Sequence, residues 1–269
     1  MQNKTPITEL IRQRLSCRTY QKKAIIREDL SALKRFAESN NIGPLNNTIR
    51  LKITAATEQD SQQLKGLGTY GFIQDPAGFI IGAVKENPGS LLDFGYQLET
   101  IILKATEIGI GSCWLGGTFT KSRFSALMDL QPGEDIPSVI SIGYPSDQHA
   151  FMDRVSRIYA GADRRLRGEE IFFERSFKTP LEPGSAGGFT EMLEMVRLAP
   201  SASNKQPWRI IRDNGVWHFY IQRTKRYPPS AFKLLLNGAD LQMVDLGIAM
   251  AHFELTANEN QLRGRWILQ

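Results

Sequence analysis

Three stretches of this sequence place groups that bind anions or polar rings. RLSCR (14–18) sets Arg14, Ser16 and Arg18 at every second position. DRRLRGEE (163–170) puts Arg164 and Arg165 beside two acids, and RLAPSASNKQPWRI (197–210) holds hydroxyl and amide side chains between Pro200 and Pro207. Arginine offers a planar fork of donors that matches a phosphate, and serine and asparagine both donate and accept. Each arginine cluster is equally readable as an ordinary charged helix face. Covalent and metal chemistry have less to work with. Cys17 and Cys113 make neither a disulfide framework nor a metal spacing and read as reduced thiols, while His149, His218 and His252 are scattered and accompany no HExxH-like cluster.

Composition is that of a soluble globular protein. The 269 residues suffice for one large domain or two ordinary ones; 41% are hydrophobic and 23% charged. The net charge of +5 comes from dispersed residues rather than a basic stripe interleaved with aromatics, so no nucleic-acid partner is expected. Apolar runs such as AGFIIGAV (77–84) are far too short to span a bilayer, and the first residues are polar. The expectation is a cytoplasmic protein with no membrane partner.

The elements that must position these groups follow from periodicity. Helices are expected over 5–16, with Thr5 as N-cap, and over 27–39; strands over 50–56, 79–84 and 138–145. LLDFGYQLETIILKATEIG (91–109) reads as a long helix, apolar on nearly all sides and therefore buried, ending in a glycine C-cap and a loop.

That helix has an echo. At an offset of 152 without gaps, residues 93–114 match 245–266 at Asp93/Asp245, Gly95/Gly247, Leu103/Leu255, Ala105/Ala257, Glu107/Glu259 and Trp114/Trp266. Weaker echoes occur in the same order: LSCRT (15–19) with RSFKT (175–179), and NNIGPL (40–45) with SNKQPW (203–208). The sequence thus reads as a tandem duplication with halves at 1–170 and 171–269. The halves keep different parts. The first has the arginine motif, the glycines after the long helix and the strand SVISIGYP; the second has the Pro-Ser-Asn-Gln-Pro loop.

APSASNKQPW (199–208), the R-x-S-x-R of residues 14–18, and ATEIGIGSCWLGG (105–117) followed by IPSVISIGYP (136–145) together resemble the flavin-dependent nitroreductase family. The single-chain arrangement is similar to its TM1586-type branch. The resemblance covers most of the chain. It implies an α+β, nitroreductase-like fold in which two degenerate halves form an intrachain pseudodimer, a monomer doing the work of two subunits. It also implies FMN as cofactor, one per chain, with NADH or NADPH as electron donor and a nitroaromatic, quinone or similar small molecule as acceptor.

By the same resemblance, Arg14, Ser16, Arg164 and Arg165 bind the FMN phosphate; for Arg165 the alternative is a surface ion pair with Glu169 or Glu170. Leu15 stands where the family often has a second basic residue. Arg18 faces the pyrimidine edge of the flavin, where a fixed positive charge favours the electron-rich reduced form. Gly116 and Gly117 bring backbone N–H groups to flavin N5, and glycine permits that approach. Pro200, Ser201 and Asn204 close the pocket from the second half, and Tyr70, in GTYG (68–71), lines the flavin face. No protein nucleophile is implied. The alternative function is a degenerate member that binds flavin without catalysis.

Overall fold

The buried helix of the first half forms α3 and crosses a second long helix near the end of the chain. The computed structural model describes residues 5–56, 64, 67–69, 71–85, 87–117, 119–146, 164–225 and 239–268. Along them the order is α1 (Ile7–Gln13), α2 (Arg27–Ser39), β1 (Arg50–Ala55), β2 (Gly78–Lys85), α3 (Pro88–Glu107), β3 (Gly111–Leu115), α4 (Lys121–Met128), β4 (Glu134–Asp135) and β5 (Val139–Gly143). There follow α5 (Gly168–Ile171), β6 (Phe172–Glu174), α6 (Thr190–Leu198), β7 (Trp208–Asp213), β8 (Val216–Ile221) and α7 (Leu241–Glu259).

Three boundaries differ from the sequence reading. Helix α1 stops at Gln13 because Arg14 turns extended, at φ −61° and ψ 121°. Cys17 then donates its amide to the carbonyl of Ser112 at 2.8 Å, laying the RLSCR motif along β3. Thr5 does not cap this helix. Pro6 is the N-cap, and the carboxylate of Glu259 accepts from the amides of Ile7 (2.5 Å) and Thr8 (3.2 Å). Third, the expected loop after α3 begins as strand β3, since GSCWL pairs with VISIG of β5 in register from Gly111–Gly143 to Leu115–Val139. Gly109, at φ +76°, makes the turn between helix and strand.

Among the described residues, the first sheet has the order β1-β2-β5-β3, all antiparallel, with β4 added to β2. Strand β2 is buried on both faces, and its side chains alternate between two cores. Phe79 and Ile81 join Phe124 and Met128 of α4 on one side, whereas Ile80 and Val84 join Leu98, Ile101 and Ile102 of α3 on the other. A second sheet, β6-β7-β8, is parallel between β6 and β7 and antiparallel between β7 and β8. Its Trp208 and Ile210 reach the same core as α3, and Phe219 packs edge-on against Phe253 of α7.

Helices α3 and α7 touch backbone to backbone. A Cβ on Gly95 would strike the carbonyl oxygen of Val244, and one on Gly247 would strike that of Leu92. Both glycines are members of the matched pairs, and Leu92 and Val244 are themselves 152 positions apart. Leu103 and Leu255, another matched pair, share one apolar cluster with Leu10, Ile11 and Met195. No helix among the described residues is long and apolar enough to cross a membrane.

Candidate functional site

The loop after α6 is built from its own polar side chains. Ala199 leaves the helix, and Ser203, Asn204 and Gln206 all take left-handed backbone angles, φ 50°, 53° and 47°. Each such residue costs on the order of 1 kcal/mol, so the loop needs fixed partners. Ser201 Oγ accepts from the Gln206 amide at 2.9 Å. Asn204 Oδ1 accepts from Arg165 Nη1 at 2.5 Å, and Asn204 Nδ2 donates to the carbonyl of Arg164 at 2.7 Å. Gln206 Oε1 accepts from the Leu166 amide at 2.9 Å, while Arg165 Nη2 returns to the carbonyl of Leu198 at 3.0 Å.

The structure therefore joins residues that the sequence assigned to opposite ends of a ligand: Arg165 holds Asn204. The Arg164 side chain is exposed. The pairing weighed for Arg165 is made by its neighbour instead, with Arg167 bridging Glu169 (2.8 Å) and Glu170 (3.5 Å).

Helix α7 anchors this loop and the glycine pair side by side. Ala202 donates its amide to Asp245 Oδ1 at 2.8 Å. One turn earlier Leu241 lies against Gly116, where a Cβ would come within 2.5 Å of Leu241 Cδ1. Gly117, the next residue, is exposed, and a Cβ there would meet nothing within 4 Å. Gly116, Gly117, Arg165, Ser201 and Asn204 are thus gathered around the first turns of α7, with Pro200 at the entry to the loop. Tyr70 lies outside the described residues.

The RLSCR motif reaches the same helix further along. Ser16 pairs in parallel with Ser112 on β3, the strand that ends in the glycine pair. Arg14, with its side chain 7% exposed, places Nε 3.6 Å from Glu99 Oε1. Glu99 is fully buried in α3 and also accepts from Trp114 Nε1 at 2.8 Å, while its Oε1 lies 3.1 Å from His252 Nε2. His252 Nδ1 contacts the carbonyl of Met195 at 2.8 Å. Burial pushes the Glu99 carboxyl up, but the His252 hydrogen bond, the Arg14 and His252 charges and the Trp114 indole outweigh it and hold the group below its ordinary value. Leu241, Asp245 and His252 lie on one face of α7, which connects the two parts of the site over roughly 16 Å of helix.

Arg18 supplies unused donors. Among the described residues its Nε and Nη1 are buried without a hydrogen-bond partner, and its Cζ stands 5.3 Å from the centre of the half-exposed Phe72 ring. Unsatisfied guanidinium nitrogens are costly to bury, so this cation fits an anionic or carbonyl-bearing ligand beside Phe72. Arg14 Nε, ion-paired with Glu99, likewise has no hydrogen-bond partner among the described residues. Among the described residues no group of three or more His, Cys, Asp or Glu side chains could hold a metal ion.

Sequence reasoning missed Glu99, His252, Phe72 and the role of Asp245. A signal existed for two of them. Glu99 is an acid inside a helix whose sequence reads as apolar on nearly all sides, and Asp245 belongs to the first pair matched at the offset of 152.

The family model described as "Putative TM nitroreductase" matches residues 6–257. A crystal structure titled as a putative nitroreductase of Thermotoga maritima MSB8 superposes with a TM-score of 0.60 at 22% identity, covering 97% of this chain and 87% of that one. It carries the fold. A nitroreductase with bound FMN from Bacteroides fragilis matches with a TM-score of 0.41 at 20% identity, over 52% of this chain and 89% of that one. A relative from Archaeoglobus fulgidus described as "Putative NADH dehydrogenase/NAD(P)H nitroreductase" is 34% identical over 86 residues, 31% of this chain and 45% of that protein. The chain thus spans less than half the length of that relative. With the matched model covering nearly all of the sequence and the fold agreeing over 97% of the chain, the chain belongs to the TM1586-type nitroreductase family, with its nitroreductase-like α+β fold.

Proposed function

We propose that this chain is an FMN-dependent NAD(P)H oxidoreductase of nitroreductase type, with one FMN per chain in a composite site. Bound FMN would supply hydride acceptance at N5 and transfer of the electrons to a nitroaromatic, quinone or similar small acceptor. The observation that carries the reading is Arg18, whose buried Nε and Nη1 have no hydrogen-bond partner among the described residues. A fixed cation of this kind stabilises the negative charge that reduction places on a flavin ring.

The other residues have tasks consistent with their positions. Gly116 and Gly117, at the end of β3, present backbone without a Cβ. Ser201 and Asn204 are held by α7 and Arg165 so that the loop is preorganised rather than ordered on binding. Arg14, Ser16 and Arg164 supply cations and a hydroxyl for the phosphate end; Arg165 contributes charge while bracing Asn204. Tyr70 is retained as a candidate on sequence grounds alone.

The composite site rests on reading residues 1–170 and 171–269 as degenerate halves of one pseudodimer in a cytoplasmic monomer. The reciprocal glycine contacts between α3 and α7 support it. An isologous interface puts residue i on residue j and residue j on residue i, as Gly95 with Val244 and Gly247 with Leu92 do at the offset of 152. One observation favours the alternative of a flavin-binding protein without catalysis: Leu15, half exposed, leaves the phosphate end with fewer cations than the family usually has. The absorbance spectrum of the purified chain after FMN addition and gel filtration, followed by NAD(P)H oxidation with several acceptors, decides. A flavin-to-chain ratio near one with turnover is expected. Retention without turnover supports the alternative, and a chain that takes up no flavin refutes both.

A further inference from the structure

Asp245 is best understood beside its counterpart. Asp93, 152 positions earlier on α3, has both oxygens satisfied: Oδ1 accepts from the Leu45 amide at 3.0 Å, and Oδ2 accepts from the amide and Nδ2 of Asn47, each at 2.8 Å. Asp245 is 3% exposed, accepts from the Ala202 amide through Oδ1, and leaves Oδ2 buried with no hydrogen-bond partner among the described residues. A carboxylate in that position would carry an uncompensated, desolvated charge. The neutral acid would keep the Ala202 bond and bury only a weak donor. A charged oxygen could regain water if the covering loop lifted.

We propose that Asp245 is a proton-dependent latch: as a neutral carboxylic acid it holds Ser201–Asn204 docked on α7, and on ionising it releases that loop. Asp245 is then a positioning residue, acting on the site through Ala202 and not by contact with a reacting atom. The three left-handed residues of the loop make the docked form dependent on such an anchor.

The surrounding charges are accounted for. Asp240, at the start of α7, is paired with Arg223 at 2.6 Å. Arg165 is engaged by Asn204 and Lys205 lies on the exposed side of the loop. On α3, Glu99 is tied to Arg14 and His252, and Tyr96 interacts with Glu254. On α6, Glu194 and Arg197 satisfy each other at 2.7 Å. None of these is hydrogen-bonded to Asp245 Oδ2. Burial pushes the Asp245 carboxyl up to about 8, with Asp240 adding to the rise and the Ala202 amide opposing it. Asp245 under the docked loop therefore keeps its proton at neutral pH.

The importance of the loop for a cofactor rests on the function proposed above; the latch itself does not. The test is amide hydrogen exchange on the full chain without cofactor, from pH 6.5 to 9.5, comparing wild type with Asp245→Asn, which keeps an acceptor for Ala202 and carries no charge. The protection factor of the Ala202 amide is expected to fall by up to about tenfold per pH unit in wild type as pH rises toward about 8, where the docked acid is still protonated and the released one ionised, to level off above that, and to stay flat in the variant. Asp245→Ala, if it folds, is expected to show low protection throughout. FMN affinity, read by quenching of flavin fluorescence, should follow the same two pH profiles. Wild-type protection that stays flat, or Asp245→Asn falling in parallel with wild type, overturns the latch. Protection that behaves as expected in a chain that binds no FMN overturns the proposed function and leaves the latch standing.

Discussion

Gly95 and Gly247 each bring the backbone of one long helix onto a carbonyl of the other, and the two contacts exchange roles at an offset of 152 residues. The crossing sets the positions of both ends of the candidate site, because Glu99 lies one turn beyond Gly95 on α3, while Asp245 and His252 flank Gly247 on α7.

Replacing either glycine by alanine forces a methyl group into backbone that has no flexible end to move. Gly95→Ala and Gly247→Ala are each expected to lower stability by about 2–3 kcal/mol, the upper part of the usual overpacking range, and by similar amounts. Urea unfolding midpoints measure this. A large cost at one glycine and none at the other would show that the two contacts are not equivalent.

Arg165 and Asn204 form a charge-assisted hydrogen bond within a region proposed to hold FMN. If they act as one brace, removing the second after the first costs little. A double-mutant cycle of Arg165→Ala and Asn204→Ala on FMN affinity is expected to show a coupling of about 1 kcal/mol or more. Additive losses would mean that each residue touches the ligand independently.

How much of this was legible beforehand depended on whether a residue's neighbours are local. Helix α2 and strand β2 were readable because their apolar periodicity is written in adjacent residues. Strand β3 was not, since GSCWL has little strand propensity of its own and becomes a strand by pairing with VISIG, some 25 residues away. The same holds for the site. The loop 200–206 and the RLSCR motif stand out by composition, yet nothing in them announces that Arg165 braces Asn204 or that Arg14 lies against Glu99. Asp245 was visible as one of the residues matched at the offset of 152, but the burial of its second oxygen exists only where the loop folds over α7.

Arg18 makes a redox prediction. Replacing it with alanine removes a half-buried cation with two buried donors that have no hydrogen-bond partner among the described residues, so FMN should bind at least about tenfold more weakly and the bound flavin should be harder to reduce. A loss of about 1.4 kcal/mol in favour of the reduced form corresponds to a potential about 30 mV more negative for a two-electron couple. Arg18→Lys, which keeps the charge but loses the fork, should recover most of the potential and less of the affinity. A potential unchanged in Arg18→Ala would remove Arg18 from the flavin ring.

Glu99 makes the matching prediction for stability. Its native value lies below the ordinary carboxylate value of 4.5, despite complete burial, because His252, Arg14 and Trp114 favour the ionised form. With the folded value depressed, the unfolded chain binds more protons across the interval between the two values. The stabilisation is therefore fully present above about pH 4.5 and is lost as pH falls through the lower native value. Glu99→Gln leaves Arg14 and His252 buried without their anion and is expected to cost about 3–5 kcal/mol near pH 7. Because the variant has no carboxylate to protonate, its stability should fall less steeply than that of wild type on the acid side, and the two curves should converge as pH drops. Urea midpoints at several values between pH 3 and 7 measure both features. Parallel curves would show that Glu99 is not the group through which acid loosens the α3–α7 crossing.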